Sequence, residues 1–266
     1  MERLDEGDCA FAVHVDRRSP ASTHIGIEQG LRRLRNAHIL PRRKCYWGDF
    51  SIVEAALDGL HALFAREIAF DHVTLLSGQD YPIKRNEDIA CFFATHPHTS
   101  FMSYCEIPCP GWGREGGLER VRNFYARFGR RRIAIPVRRR FPEGFAPFGR
   151  SAWWSLSREC AEYVLAFLET NRPFVRFFRH VGVPDELFFQ TVLLNSPLRA
   201  TIENENLRFV DWSPGPAHGH PKVLTTVDLE ALVASSKLFA RKFDVEEDAA
   251  VLDALDEHAA VTHRAT

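Results

Sequence analysis

One run constrains this chain more than any other: Val73-Thr74-Leu75-Leu76-Ser77-Gly78-Gln79-Asp80-Tyr81-Pro82-Ile83, an apolar strand that stops in a polar, glycine-containing turn ending on a carboxylate. Open α/β sheets bind ligands beyond the carboxyl ends of their strands, where turn backbone and short polar side chains approach closely and apolar residues stay buried behind them. The run therefore points to an α/β fold and makes Asp80 a candidate site residue. Taken by itself the same Asp is equally a turn residue bonded to its own backbone.

At 266 residues the chain is long enough for one full α/β domain, and no Gly/Ser tract or repeat divides it. Basic and acidic side chains number 34 and 35, a formal charge of −1, so global charge names no partner and nucleic acid is not expected. Six cysteines, at positions 9, 45, 91, 105, 109 and 160, lack the paired spacing of a zinc site. Reduced packing thiols are expected, because the charged start Met1-Glu2-Arg3-Leu4-Asp5-Glu6 does not resemble a secretion signal. No stretch reaches the roughly 18 apolar residues a membrane span needs, and a cytoplasmic location is the expectation.

Apolar spacing predicts a strand over residues 9–16, a helix near 27–34 and a strong amphipathic helix from Ser51. That helix has Glu54 closing a capping box and Val53, Ala56, Leu57, Leu60, Leu63 and Phe64 on one face. A strand at 73–76, a helix capped by Asn86, strands near 100–104 and 152–156, and a helix capped by Ser157 follow. Pro184 opens another helix buried through Leu187, Val192, Leu193 and Leu194, and one more is expected near 228–233. Residues 106–150 form a variable, basic surface hairpin or loop, with Arg130-Arg131-Arg132 and Arg138-Arg139-Arg140 around the apolar stretch 133–137. Its default meaning is a solvated basic face; the sharper alternative is peripheral membrane contact or an anionic acceptor patch through Arg130–Arg140. Residues 245–266 are expected to form a peripheral, acidic helical tail.

Four separated blocks carry a resemblance. They are Trp47-Gly48-Asp49-Phe50-Ser51, the Asp80 run, Pro184-Asp185-Glu186-Leu187-Phe188-Phe189-Gln190-Thr191-Val192-Leu193-Leu194-Asn195, and Leu238-Phe239-Ala240-Arg241-Lys242-Phe243-Asp244. In that order the chain resembles the core-2/I-branching N-acetylglucosaminyltransferase and peptide O-xylosyltransferase family from about Phe11 to Asp244. The resemblance implies an A-type nucleotide-sugar glycosyltransferase fold, a central mixed sheet flanked by helices. It also implies inverting, metal-independent transfer of N-acetylglucosamine or xylose from a UDP-sugar to a glycan or other hydroxyl-bearing acceptor.

Residue roles follow from the same match. Glu186 aligns with the catalytic base, although acidic residues favour helix N-termini in any protein. A single carboxylate suffices to take the acceptor proton. Its neighbour Asp185 is assigned to the capping of that turn and to the acceptor side, and the two carboxylates are open to an exchange of roles. No Asp-x-Asp pair is present to hold a divalent ion. Arg241-Lys242, between Phe239 and Phe243, stands as the substitute: a planar fork and a compact ammonium for the departing diphosphate. No metal or other cofactor is expected.

Asp80 belongs to the donor side. His14 and Asp16, at the end of the first strand, are candidates for the nucleoside, and Lys222 with His220 for added charge at the diphosphate. Trp153 and Trp154 are candidates for stacking on an acceptor sugar, with at most one of them facing the cleft because strand residues alternate. Two departures stand out: the strand and helix that open family members are missing ahead of Cys9, and Ala152 replaces an acceptor-binding Asp. The first leaves two readings open, a start site set too far downstream or a non-catalytic carbohydrate-binding or scaffolding relative with impaired donor binding; the second weakens the case for peptide xylosylation.

Overall fold

The computed structural model describes residues 1–5, 9–129, 131–215 and 219–263. Arg130 and part of the Pro/Gly/His loop after Trp212 lie outside them. The chain divides into two compact units. The larger comprises residues 7–73 and 98–206, and the smaller is assembled from residues 1–6, 74–97 and 207–266.

In the larger unit, β1 (Phe11–Val13) pairs in parallel with β2 (Ala37–Ile39) around α1 (Ala21–Leu31). A mixed four-stranded sheet has the order β3 (His72–Thr74), β8 (Phe148–Ser157), β5 (Ser100–Glu106), β9 (Ile202–Glu203). In it β5 runs antiparallel to β8 and parallel to β9. The mixed α/β class expected from sequence is present.

Helix α2 (Phe50–Ala65) buries Val53, Leu57, Leu60 and Leu63 as its spacing predicts. Its cap differs: the N-cap is Asp49, two residues upstream of the expected Ser51, and its side chain accepts from the Ser51 amide at 3.0 Å. Glu54 is drawn away from a capping box by Arg43 at 2.8 Å and Arg179 at 2.7 Å. Ser157 does cap α5 (Arg158–Thr170), its side chain accepting from the Cys160 amide at 3.3 Å. A helix not expected from sequence, α6 (Arg172–Phe178), leads to a 3-10 turn over Pro184–Glu186 and then α7 (Phe188–Leu194), which is buried on every side. Burial of each such Phe or Leu is worth about 1.5–3 kcal/mol. Together with Phe50 and Phe178, which meet Phe188 at centroid distances of 5.4 Å, and Trp154, which meets Phe189 at 4.9 Å, this helix centres the core.

Between residues 106 and 150, α4 (Leu118–Arg122) precedes an antiparallel ribbon of β6 (Asn123–Phe128) and β7 (Arg131–Arg138). One cysteine expectation is corrected: Cys105 and Cys109 form a disulfide, their Cα atoms 5.9 Å apart where the chain folds back after β5, within bridging reach. Cys9, Cys45, Cys91 and Cys160 are free thiols.

The smaller unit holds β4 (Asp80–Pro82), α3 (Asn86–Ala94), β10 (Arg208–Val210), α8 (Leu229–Ala234), β11 (Phe239–Arg241) and α9 (Ala250–His263). Its sheet has the order β10-β11-β4, parallel then antiparallel. Asn86 is the first residue of α3 and not its cap; its amide is held by Arg3, whose Nη1 donates at 2.6 Å. Helix α9 is no peripheral tail: Val251 and Leu255 join Ile83, Leu224, Leu232, Ala240 and Phe243 in the core of this unit. Tyr81 and Arg3 both bond Asp256 on the same helix, at 2.8 and 2.9 Å. Among the described residues no helix is long and apolar enough to cross a membrane.

Candidate functional site

The carboxylate pair of the larger unit stands on the 3-10 turn between α6 and α7. Val183 enters that turn at φ 49°, a left-handed conformation that a β-branched residue adopts only under constraint. Arg120 ion-pairs with Glu186 and stacks over the Trp112 ring at 4.0 Å. The Glu186 side chain keeps 31% of its surface exposed. Burial raises its pKa, and the Arg120 charge pulls in the opposite direction without cancelling the rise. Asp185 is pushed up to about 7, first by burial and then by the adjacent Glu186 charge. Its Oδ1 is buried and meets no hydrogen-bond donor among the described residues. Two carboxyl groups on one turn, both less acidic than usual and one with an open face, are equipped to accept a proton.

Backbone fit around Glu186 is tight. A Cβ on Gly149 would lie 2.9 Å from the Glu186 carbonyl oxygen and 2.5 Å from Trp112, so β8, Trp112 and the carboxylate turn close on one another only because residue 149 has no side chain. The same strand carries Trp153, half-buried, and Trp154, 1% exposed and part of the core, as alternation required of at most one outward ring. Trp47, at the end of the segment leading to α2, is 82% exposed. His14 accepts from the Arg43 amide at 3.0 Å, and burial lowers its pKa. Asp16 is clasped by the Arg18 guanidinium at 2.8 Å; burial would raise its pKa, but the Arg18 bonds outweigh that and lower it.

In the smaller unit the antiparallel register sets Asp80 directly opposite Arg241. The Asp80 carboxylate is fully buried. It accepts from the Ser77 amide at 2.7 Å and from the Ser77 hydroxyl, and its Oδ1 lies 3.4 Å from Arg241 Nε and 4.0 Å from Arg208 Nε. Asp80 is thus a counter-ion that holds a guanidinium in place. Burial lowers the Arg241 pKa against the raising charge of Asp80. Phe239 and Phe243 are 3% and 4% exposed; Phe243 packs edge-on to Tyr81, and the Arg208 guanidinium lies 5.7 Å over the Phe239 ring.

The backbone there is pinned twice: the Lys242 carbonyl accepts from the Leu224 amide at 2.9 Å, and the Phe243 amide donates to the Gln79 carbonyl at 2.9 Å. Lys222 is paired with Asp228 at 2.6 Å, the residue that closes the capping box of the 3-10 turn ahead of α8. His220 contacts the Pro221 carbonyl at 3.0 Å.

Sequence reading did not single out Arg120, Trp112 or Arg208. Arg208 left one signal, a charged residue inside the apolar strand Leu207-Arg208-Phe209-Val210, where burial demands a partner. A separate cleft of about 480 Å³ in the larger unit is lined by α2, α5 and α6, with Glu54, His61, Arg172 and Arg176 among its residues, and includes none of the expected site residues. Among the described residues no three His, Cys, Asp or Glu side chains gather as a metal-binding group.

Residues 5–233 match the family model described as Core-2/I-Branching enzyme. The chain belongs to the Core-2/I-branching enzyme family. The matched region includes Asp80, Trp153, Trp154, Asp185 and Glu186 and ends before Arg241. Among curated relatives of this chain, dog (Canis lupus familiaris) Xylosyltransferase 1 is 30% identical over 213 residues, covering 77% of this chain and 22% of the relative. Human (Homo sapiens) Xylosyltransferase 1 is 30% identical over 213 residues, with 77% and 21% covered. Dog Xylosyltransferase 2 is 28% identical over 274 aligned positions, covering 93% of this chain. The chain spans 22% to 30% of the length of the two dog relatives.

Proposed function

We propose that this chain is a glycosyltransferase of A-type fold that moves N-acetylglucosamine or xylose from a UDP-sugar to an acceptor hydroxyl, with inversion and without a divalent ion. The observation that carries the reading is Glu186, a partly open carboxylate of raised pKa, clasped by Arg120 inside the region matched to the branching family. The acceptor oxygen attacks the anomeric carbon from the face opposite the diphosphate. As the new C–O bond forms, the bond to the diphosphate breaks and the hydroxyl proton passes to Glu186.

Charge growing on the departing diphosphate is met by Arg241 and Lys242, with Asp80, which also faces Arg208, fixing the Arg241 side chain. The half-buried Trp153 supplies an aromatic face to the acceptor, while His14, Asp16 and Lys222 are assigned to the nucleotide side. Names of the relatives favour xylose among donors, and Ala152 in place of an acceptor-binding Asp argues that the acceptor differs from theirs.

Titration calorimetry with UDP in EDTA, followed by a panel of UDP-sugars, tests the proposal. UDP binding that survives chelation and is lost in the Arg241→Ala/Lys242→Ala variant is the expected result. Binding that needs manganese, or that ignores both substitutions, rejects the cationic clamp.

A further inference from the structure

Residues 123–142 contain seven arginines and no Asp or Glu, in a chain whose net charge is −1. The ribbon of β6 and β7 sorts those charges into two sets. Arg132 turns inward, donating to Asp49 at 3.0 Å and to the carbonyls of Arg179 and Val181 at 2.9 and 2.7 Å. Arg139 does the same at the carbonyls of Phe177 and His180, at 2.9 and 2.7 Å, with its guanidinium 4.0 Å over the Phe177 ring. These two fasten the ribbon to the end of α6. Arg127 lies over the Tyr46 ring at 4.1 Å, near Asp49. Arg131, Arg138 and Arg140 are exposed, and no carboxylate pairs with them among the described residues.

Apolar side chains are sorted in the same way. Phe128 stands opposite Arg131 and Ala126 opposite Ile133, so these four share one face of the ribbon. The other face carries Tyr125, whose ring occupies the space a side chain at Gly182 would need. Phe128 is 61% exposed, Ile133 46% and Val137 56%. A water-facing patch of aromatic and aliphatic side chains rimmed by unpaired guanidinium groups marks a contact surface.

Its chemistry selects the partner. A soluble polyanion engages the arginines and leaves Ile133 and Val137 in water, whereas an anionic lipid surface uses both sets, phosphates for the arginines and the headgroup boundary for the apolar side chains. We propose that the β6–β7 ribbon, with Arg140 just beyond it, docks this protein peripherally on an anionic lipid bilayer, with Phe128, Ile133 and Val137 inserted and Arg131, Arg138 and Arg140 paired with lipid phosphates. This surface is independent of the sugar-transfer reading and contains none of the residues assigned to it.

The test is co-sedimentation of the full chain with vesicles of phosphatidylcholine alone or mixed with phosphatidylglycerol, across a salt series. The expected result is binding to the mixed vesicles only, weakening as salt rises. Each arginine near the surface is worth roughly a five-fold change in partitioning, so Arg131→Gln/Arg138→Gln/Arg140→Gln lowers binding on the order of 100-fold. Phe128→Ser/Ile133→Ser lowers it about tenfold or more. Neither set alters the melting temperature materially, because all five side chains are exposed. In a Phe128→Trp variant the emission of the new indole, taken as the difference from wild type, shifts to the blue when mixed vesicles are added. Failure to bind mixed vesicles, binding that both substituted proteins retain in full, or capture by a heparin column without vesicle binding overturns the proposal.

Discussion

Asp185 and Glu186 share one turn and differ in what surrounds them: Glu186 has Arg120, and Asp185 has mainly the like charge of its neighbour and the shelter of the turn. Replacing Glu186 with Gln is expected to lower turnover on the order of 10²–10⁴ and leave UDP affinity unchanged, as rate and calorimetry will show together. For Asp185 the folded pKa of about 7 lies above the unfolded value of roughly 3.9. The folded state therefore holds the extra proton, the contribution to stability is complete below about pH 4, and it is lost as pH rises towards 7. Asp185→Asn is expected to flatten that decline in melting temperature between pH 4 and 7; an unchanged slope would place the shift elsewhere. Glu186 was legible because a local motif surrounds it. Arg120 was not, since 66 residues separate it from its partner and no periodicity marks it. Asp80 was legible as a special residue, but its full burial comes from the pairing of β4 with β11, which no local signal announces.

At the level of elements, the turn before α7 depends on β8 for its position. Gly149→Ala would drive a methyl group into Trp112 and the Glu186 carbonyl, and Trp112 supports the Arg120 that holds the candidate base. Overpacking of this kind costs about 1–3 kcal/mol. We expect a lower melting temperature and a reduced turnover number, with UDP affinity untouched. Apolar spacing located α2, α5 and α7 because each buries a face or a whole surface that a strong pattern predicts. It failed at ends and in short elements. The α2 cap moved to Asp49, a carboxylate that also receives Arg132 at 3.0 Å, and a tertiary ion pair of that kind is invisible to a rule about neighbouring residues. Helix α6 escaped notice because only Phe174 and Phe178 are buried in its seven residues, too few for a periodic signal.

Across the whole molecule, the segments that carry the candidate base and the candidate clamp belong to different units, each with its own core. Helix α9 stabilises the second of them through Val251 and Leu255. Leu255→Ala is expected to cost about 2–5 kcal/mol, and hydrogen exchange should report faster opening at β4, β10 and β11 with α2, α5 and α7 unaffected. The acidic composition of the final segment concealed this role, because two inward residues on one helix are enough to fill a small core. A last consequence concerns the order of synthesis. Both stretches of the larger unit, residues 7–73 and 98–206, leave the ribosome before the stretch 207–266 that completes the smaller one. Until that stretch arrives, Asp80 has neither Arg208 nor Arg241 beside it, so in a nascent chain this buried carboxylate gains its guanidinium partners last, after the carboxylate turn has already been made.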